Sequence, residues 1–135
     1  MGAMREILFR GKRISDGEWV EGYLGVEVGG APVIEYCGTD EDVGDYVEEQ
    51  FVNPESIGEF TGLTDKNGVK IFEGDIICGK AGPPFEIRWR KSMCYFSIYA
   101  KDVPYPLAPV EKGIVRNYEV IGNIYDNPEL LEGKS

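Results

Sequence analysis

No stretch of this chain sustains a 3.6-residue apolar period over several turns, while turn dipeptides recur between short apolar runs. Asp16-Gly17, Gly29-Gly30, Asn67-Gly68 and Gly74-Asp75 each interrupt a segment before it reaches helical length. Where a segment is long enough to read, its period is two. In FEIRWR, Phe85, Ile87 and Trp89 fall on one face and Glu86, Arg88 and Arg90 on the other. The chain is therefore expected to be mainly β.

The turns divide it further. A first hairpin is expected around Ser15-Asp16-Gly17, with Asp16 and Gly17 supplying the positive-φ positions of a tight turn. APVIEYC reads as a third strand, GTDEDVGD as an exposed loop because it is too acidic to bury, and YVEEQFV as another strand. Asn53-Pro54-Glu55 has a capping side chain, a proline at the first helical position and an acid in the first turn, which predicts a short helical turn. Lys66-Asn67-Gly68-Val69 predicts a hairpin of type I′. At Gly74-Asp75 the glycine supplies a conformation other residues resist, and the Asp75 carboxylate can accept turn N–H groups. Asp16, Gly17, Asn67, Gly68, Gly74 and Asp75 are thus read as structural.

After FEIRWR, the next strand is expected to bury Cys94, Phe96, Ile98 and Ala100 and to expose Tyr95, Ser97, Tyr99 and Lys101. VPYPLAP, with its three prolines, reads as a loop; NYEVIGNIY as a last strand; and Asp126-Asn127-Pro128-Glu129-Leu130-Leu131 as a short terminal helix. Trp19 and Trp89 lie in strand segments and are expected in the core.

Composition excludes several functions. The chain has no histidine, which removes the usual general base near neutral pH, the commonest zinc ligand and every Ser-His or Cys-His pair. Cys37, Cys78 and Cys94 are odd in number and lack C-x-x-C spacing, so they are expected to be reduced and partly buried. No cofactor or metal is implied, and no enzymatic activity. Glu73 with Asp75 as a carboxylate-dependent hydrolase is disfavoured because nothing specifies a substrate pocket. Met1-Gly2-Ala3 before a second methionine reads as an appended leader, placing the natural start at Met4, and no segment resembles a signal peptide or membrane span. A cytoplasmic protein is expected.

The formal charge is −10 at neutral pH, which opposes non-specific binding of nucleic acid. The charge is uneven. Glu35 to Glu59 holds nine acids and no Lys or Arg, whereas Cys78 to Lys101 holds five cations and the single acid Glu86. Two candidate surfaces follow. Asp40, Glu41, Asp42, Asp45, Glu48 and Glu49 form an acidic interaction surface whose spacing is not that of a calcium loop. Arg88, Arg90, Tyr95, Tyr99 and Lys101 mix cations with rings on one predicted hairpin, the composition of a surface that stacks bases or docks a partner. The asymmetry favours protein interaction, with copies of the chain or another protein as partner. A single-stranded nucleic-acid binder, and an acidic mimic blocking a host nucleic-acid-binding protein, are the alternatives.

REILFRGK near the start, ESIGEFTGLTDKNGVKIFEGDII in the middle and VIGNIYDNPELL near the end resemble the YopX family of small phage and prophage proteins, in the family's order. Gly25 to Phe51 and Gly79 to Arg116 carry no such resemblance. The resemblance implies a phage or prophage origin, a bacterial host cell as location and a C-terminal part similar to an SH3-type barrel, but no activity. The expected architecture is thus an N-terminal β-hairpin region over 4–58 packed on an SH3-type small barrel over 59–135, with a short terminal helix.

Overall fold

The computed structural model describes residues 6–132, so the expected start at Met4 lies outside the described residues. They fall into two compact units, divided between Phe60 and Thr61.

In the first unit, β1 (Phe9–Lys12) pairs antiparallel with β2 (Trp19–Val26), which pairs with β3 (Pro32–Asp40), which pairs with β4 (Gly44–Phe51). The start of β5 (Gly58–Thr64) lies on the other side of β1. In the first hairpin only Gly17 takes positive φ, at 74°; Asp16 instead accepts the Glu18 N–H at 3.0 Å and an ion pair from Arg13 at 2.6 Å. Two residues were thus expected to reverse the chain where one glycine suffices, because a side chain bonded to the turn replaces the second left-handed residue. Val33, Ile34 and Val52 are buried, and Gly11 and Gly22 have no side chain to place against them. A 3₁₀ turn at Pro54–Ser56 follows, with Asn53 Oδ1 accepting the Glu55 N–H at 3.0 Å. The Ser56 hydroxyl accepts the Lys12 N–H at 2.8 Å, fastening this turn to β1.

GTDEDVGD is not a loop. Its first residues extend β3 to Asp40, its last begin β4, and only 41–43 turn. The acidic residues are tolerated there because both faces are wet, so strand pairing needs no apolar alternation.

In the second unit the rest of β5 precedes β6 (Lys70–Phe72), with Thr61 Oγ1 donating to the Ile71 carbonyl at 2.8 Å. The turn between them is not type I′, because Asn67 does not have positive φ and Gly68, at 82°, does. Gly68 N–H bonds the Asp65 carbonyl at 3.0 Å and Asp65 N–H the Val69 carbonyl at 2.8 Å, the pattern of a type I turn closed by a glycine bulge. A Cβ on Gly68 would touch nothing, so any cost there is backbone strain alone. Gly68→Val is expected to destabilise by about 1–3 kcal/mol and Gly68→Asn by clearly less, read from denaturant midpoints.

A second sheet runs in the order β10-β9-β8-β7-β11. Its strands are β7 (Asp75–Cys78), β8 (Phe85–Arg90), β9 (Tyr95–Tyr99), β10 (Ala108–Pro109) and β11 (Glu119–Asn123). The helix α1 (Lys112–Val115) lies between the last two in sequence, and the expected short terminal helix forms as a 3₁₀ helix at Pro128–Glu132. Ile71, Ile77, Ile87, Phe96, Ile98 and Val115 form the core. At the reversal into β7, Gly74 has φ 91° and the buried Asp75 carboxylate accepts the Phe72 N–H at 2.7 Å.

The sheet is open, so the expected closed barrel is not formed. Its edge β10 is two residues long and one of them is Pro109, which has no N–H with which to close a ladder. Two strand readings also change. Cys94 sits exposed in the β8–β9 turn at φ 57° and not on the inner face, and Cys37 is exposed as well. Trp89 is 41% exposed, edge-on to its cross-strand partner Phe96 at a centroid distance of 4.9 Å, so it borders the core and is not buried in it. Trp19 is half-buried between cations, with Arg10 Cζ 4.5 Å and Lys12 Nζ 5.7 Å from its ring centre.

Candidate interaction surface

β2 covers β3 only from Pro32 to Glu35, so Tyr36 to Asp40 pair with β4 alone. The hairpin therefore continues as a two-stranded ribbon beyond its sheet. Gly44 to Glu49 are all exposed, a condition in which a strand has neither a core face nor an outer neighbour. An isolated pair of strands is marginal in water, and local side-chain contacts hold this one. Asp40 Oδ1 accepts the Asp42 and Val43 N–H groups at 2.7 and 3.2 Å, which fixes the turn. Thr39 donates to Asp45 at 2.9 Å, and the Tyr36 hydroxyl donates to Glu48, which holds the phenol pKa above its ordinary value. The Tyr46 ring lies over Gly38, where a Cβ would collide with it.

The acidic residues singled out from sequence thus gather on one ribbon, but they do different work. Asp40, Asp45 and Glu48 brace it, whereas the side chains of Glu41 and Asp42 accept no hydrogen bond among the described residues. Glu49 faces Glu35 directly across the ladder, and Glu27 joins them. Sequence reading missed Glu27, which lies far from Glu49 in the chain. The Glu49 carboxyl is held above its ordinary pKa, first by a hydrogen bond shared with Glu27 and then by the charges of Glu27 and Glu35. Its folded-state pKa is raised, so the wild type gains stability as pH falls through that value. Glu49→Gln is expected to raise the melting temperature at neutral pH, with the advantage closing on acidification; a gain independent of pH would contradict the repulsion.

Between the acids lie apolar groups that a soluble edge strand would ordinarily hide. Val43 is 74% exposed and Val47 67%, with Tyr46 and Phe51 also exposed. Cys37, Gly38, Thr39, Asp45, Tyr46 and Val47 line a shallow concavity on the ribbon. Charges along a bare edge discourage pairing with another strand of like composition, but leave it open to a cationic one.

The basic hairpin is assembled differently. Glu86, Arg88 and Arg90 share a face with their cross-strand partners Tyr99, Ser97 and Tyr95. Arg88 pairs with Glu86 at 3.0 Å and stacks 4.7 Å from the Tyr99 ring centre; Arg90 donates to the Tyr95 hydroxyl at 2.8 Å. Lys101 lies beyond β9 in a turn, bonded to Glu132 at 3.2 Å. Four of the five residues come together and Lys101 does not. The face expected to be open is not. Ser97 and Glu86 are buried in it, and the tyrosines are half-buried with their rings already occupied by arginine.

In the second unit the structure adds a residue that sequence reading passed over. Asp65 is buried, and its carboxylate accepts backbone N–H groups from Asn67 at 2.8 Å, Val69 at 2.9 Å and Val120 at 2.8 Å. Burial pushes its pKa up, but these three donors and the nearby Lys66 outweigh burial and hold it below the ordinary carboxylate value. Its role is to lock the β5–β6 turn to β11. Among the described residues no group of three or more Cys, Asp or Glu is arranged to hold a metal ion, and no helix is long and apolar enough to cross a membrane.

No curated protein matches the sequence. The crystal structure of protein EF1440 from Enterococcus faecalis is similar, with a TM-score of 0.57, 25% sequence identity, and coverage of 95% of this chain and 99% of that one. The sequence also matches the YopX family, described as YopX protein, over residues 9–132. The match takes in both units, including the ribbon segment where no resemblance was legible, and the chain therefore belongs to the YopX family.

Proposed function

We propose that this is a non-enzymatic phage or prophage accessory protein that acts by binding protein, copies of itself included, in the cytoplasm of a bacterial host. The observation that carries the reading is the β3–β4 ribbon, whose length beyond its sheet contributes nothing to a core and presents a bare acidic edge studded with Val43, Tyr46 and Val47. Selection for stability alone gives no reason to extend two strands into solvent. The second unit fits an SH3-type barrel left unclosed, since its last strand returns beside the first of a four-strand meander.

Single-stranded nucleic acid is the second reading, favoured by the arginine–tyrosine pairs of β8 and β9. It ranks lower because those rings and guanidinium groups already satisfy one another, and a base must displace an arginine to stack. Blocking of a host nucleic-acid-binding protein by the acidic ribbon is a special case of protein binding.

The test shortens the ribbon. Replacing residues 38–46 with Asn-Gly joins the paired Cys37 and Val47 by a two-residue turn and leaves the β2–β3 ladder untouched. Sedimentation at micromolar concentration and low salt is expected to show an oligomer for the wild type and a folded monomer for the shortened chain. An oligomer that survives the shortening, or a monomeric wild type, contradicts the self-binding reading.

A further inference from the structure

The cations expected to dock the acidic segment are occupied. Arg88 is held by Glu86, Arg90 by Tyr95 and Lys101 by Glu132. Lys112 and Arg116 are exposed and have no ionic partner among the described residues. Four residues apart, at the first residue and the C-cap of α1, they project on the same side. There they border a pocket completed by Gly62, Leu63, Thr64 and Asp65.

The pocket is suited to an acidic group. Gly62 has φ 90° in the middle of β5, a conformation that an L side chain resists, and no atom lies near where its Cβ would be. The strand backbone is therefore uncovered at that wall, and half-buried Leu63 adds apolar surface. The carboxylate of Asp65 does not claim the cations, because three backbone N–H groups already hold it.

We infer that this pocket receives the tip of the β3–β4 ribbon from a second copy of the chain, with Glu41 and Asp42 facing Lys112 and Arg116. The inference rests on the reading of the ribbon as a docking element. The tip has the matching features. Its two acids are unengaged, Val43 beside them is 74% exposed, and Asp40 has already ordered the turn by accepting two of its N–H groups. A preorganised turn loses little freedom on docking. Arginine can take a carboxylate by two parallel hydrogen bonds, and an ion pair that stays at the wet edge of a contact loses less hydration than one that is fully buried.

The experiment reverses charge on each side. Lys112→Glu with Arg116→Glu, and separately Glu41→Lys with Asp42→Lys, are expected to weaken self-association by about tenfold or more. All four side chains are exposed, so the thermal transitions should stay near that of the wild type. Carrying all four substitutions in one chain is expected to restore association, which mere damage to either surface cannot do. Wild-type association in the Lys112→Glu, Arg116→Glu chain overturns the inference, as does failure of the fourfold chain to recover. If the shortened ribbon still abolishes association in that case, the ribbon reading stands without this pocket; if it does not, both fall.

Discussion

Asp65→Ala is expected to lower the stability of the second unit by about 3–5 kcal/mol, the largest effect of any single substitution considered. Three backbone N–H groups, those of Asn67, Val69 and Val120, lose their acceptor together. Leaving a fully buried donor unsatisfied costs about 1–3 kcal/mol; Asn67 and Val69 are exposed residues and Val120 is half-buried, so each donor falls toward the lower end and water recovers part of the sum. Asp65→Asn separates charge from shape. Oδ1 serves Asn67 and Val69 while Oδ2 serves Val120, so the amide keeps one set and turns an NH₂ toward the other. An intermediate loss is expected. The pH dependence has a definite sign. The folded-state pKa of Asp65 is depressed, so its contribution is present above the unfolded value of about 3.9 and disappears as pH falls through the lower folded value. The wild type and Asp65→Asn should therefore begin to converge as pH falls below about 4. A denaturant midpoint unmoved by Asp65→Ala would mean that the anchor between the β5–β6 turn and β11 does not exist.

Gly22→Ala is expected to be the next most damaging, at about 3 kcal/mol. Gly22 sits where β2 passes from pairing with β1 to pairing with β3. An added Cβ collides with the Glu35 carbonyl oxygen and lies 2.9 Å from its carbon and 3.0 Å from Ile34 Cγ2. A backbone carbonyl cannot swing aside as a side chain can, so β3 must move. Exchanging glycine for alanine elsewhere commonly gains about 0.4–1 kcal/mol by restricting the unfolded chain, and the clash outweighs that gain. Gly25→Ala on the same strand is the control, because its nearest contact is the Val33 side chain at 3.3 Å. Equal melting temperatures for the two variants would contradict the β2–β3 register.

Much of the fold is legible because turns are local. Gly17, Gly68 and Gly74 all take positive φ where the sequence places them, and Asn53 caps its turn. What is not legible depends on neighbours that sequence spacing does not name. Trp89 alternates with Ile87 as a core residue should, yet it is left 41% exposed, edge-on to its cross-strand partner Phe96. GTDEDVGD has the composition of a loop because a strand exposed on both faces carries no apolar alternation to reveal it. Asp65 looks like any turn aspartate until folding brings Val120 to it from far along the chain. Likewise the acids of the candidate surface can be counted in the sequence, while the division between Asp40, which holds its own turn, and Glu41 and Asp42, which hold nothing, is a matter of geometry.

The β3–β4 ribbon is proposed to be covered by another protein, a copy of the chain among them. Amide hydrogen exchange followed over protein concentration tests it most directly, since an edge strand gains protection only when something covers it. Exchange in residues 41–49 is expected to slow as concentration rises through the micromolar range and to quicken again at high salt, where the Debye length falls to about 3 Å. Core strands β7 and β8 should show no such dependence. Exchange along the ribbon that stays fast at every concentration and salt, in a chain that sedimentation shows to be associated, would mean that the ribbon is not the surface that is covered.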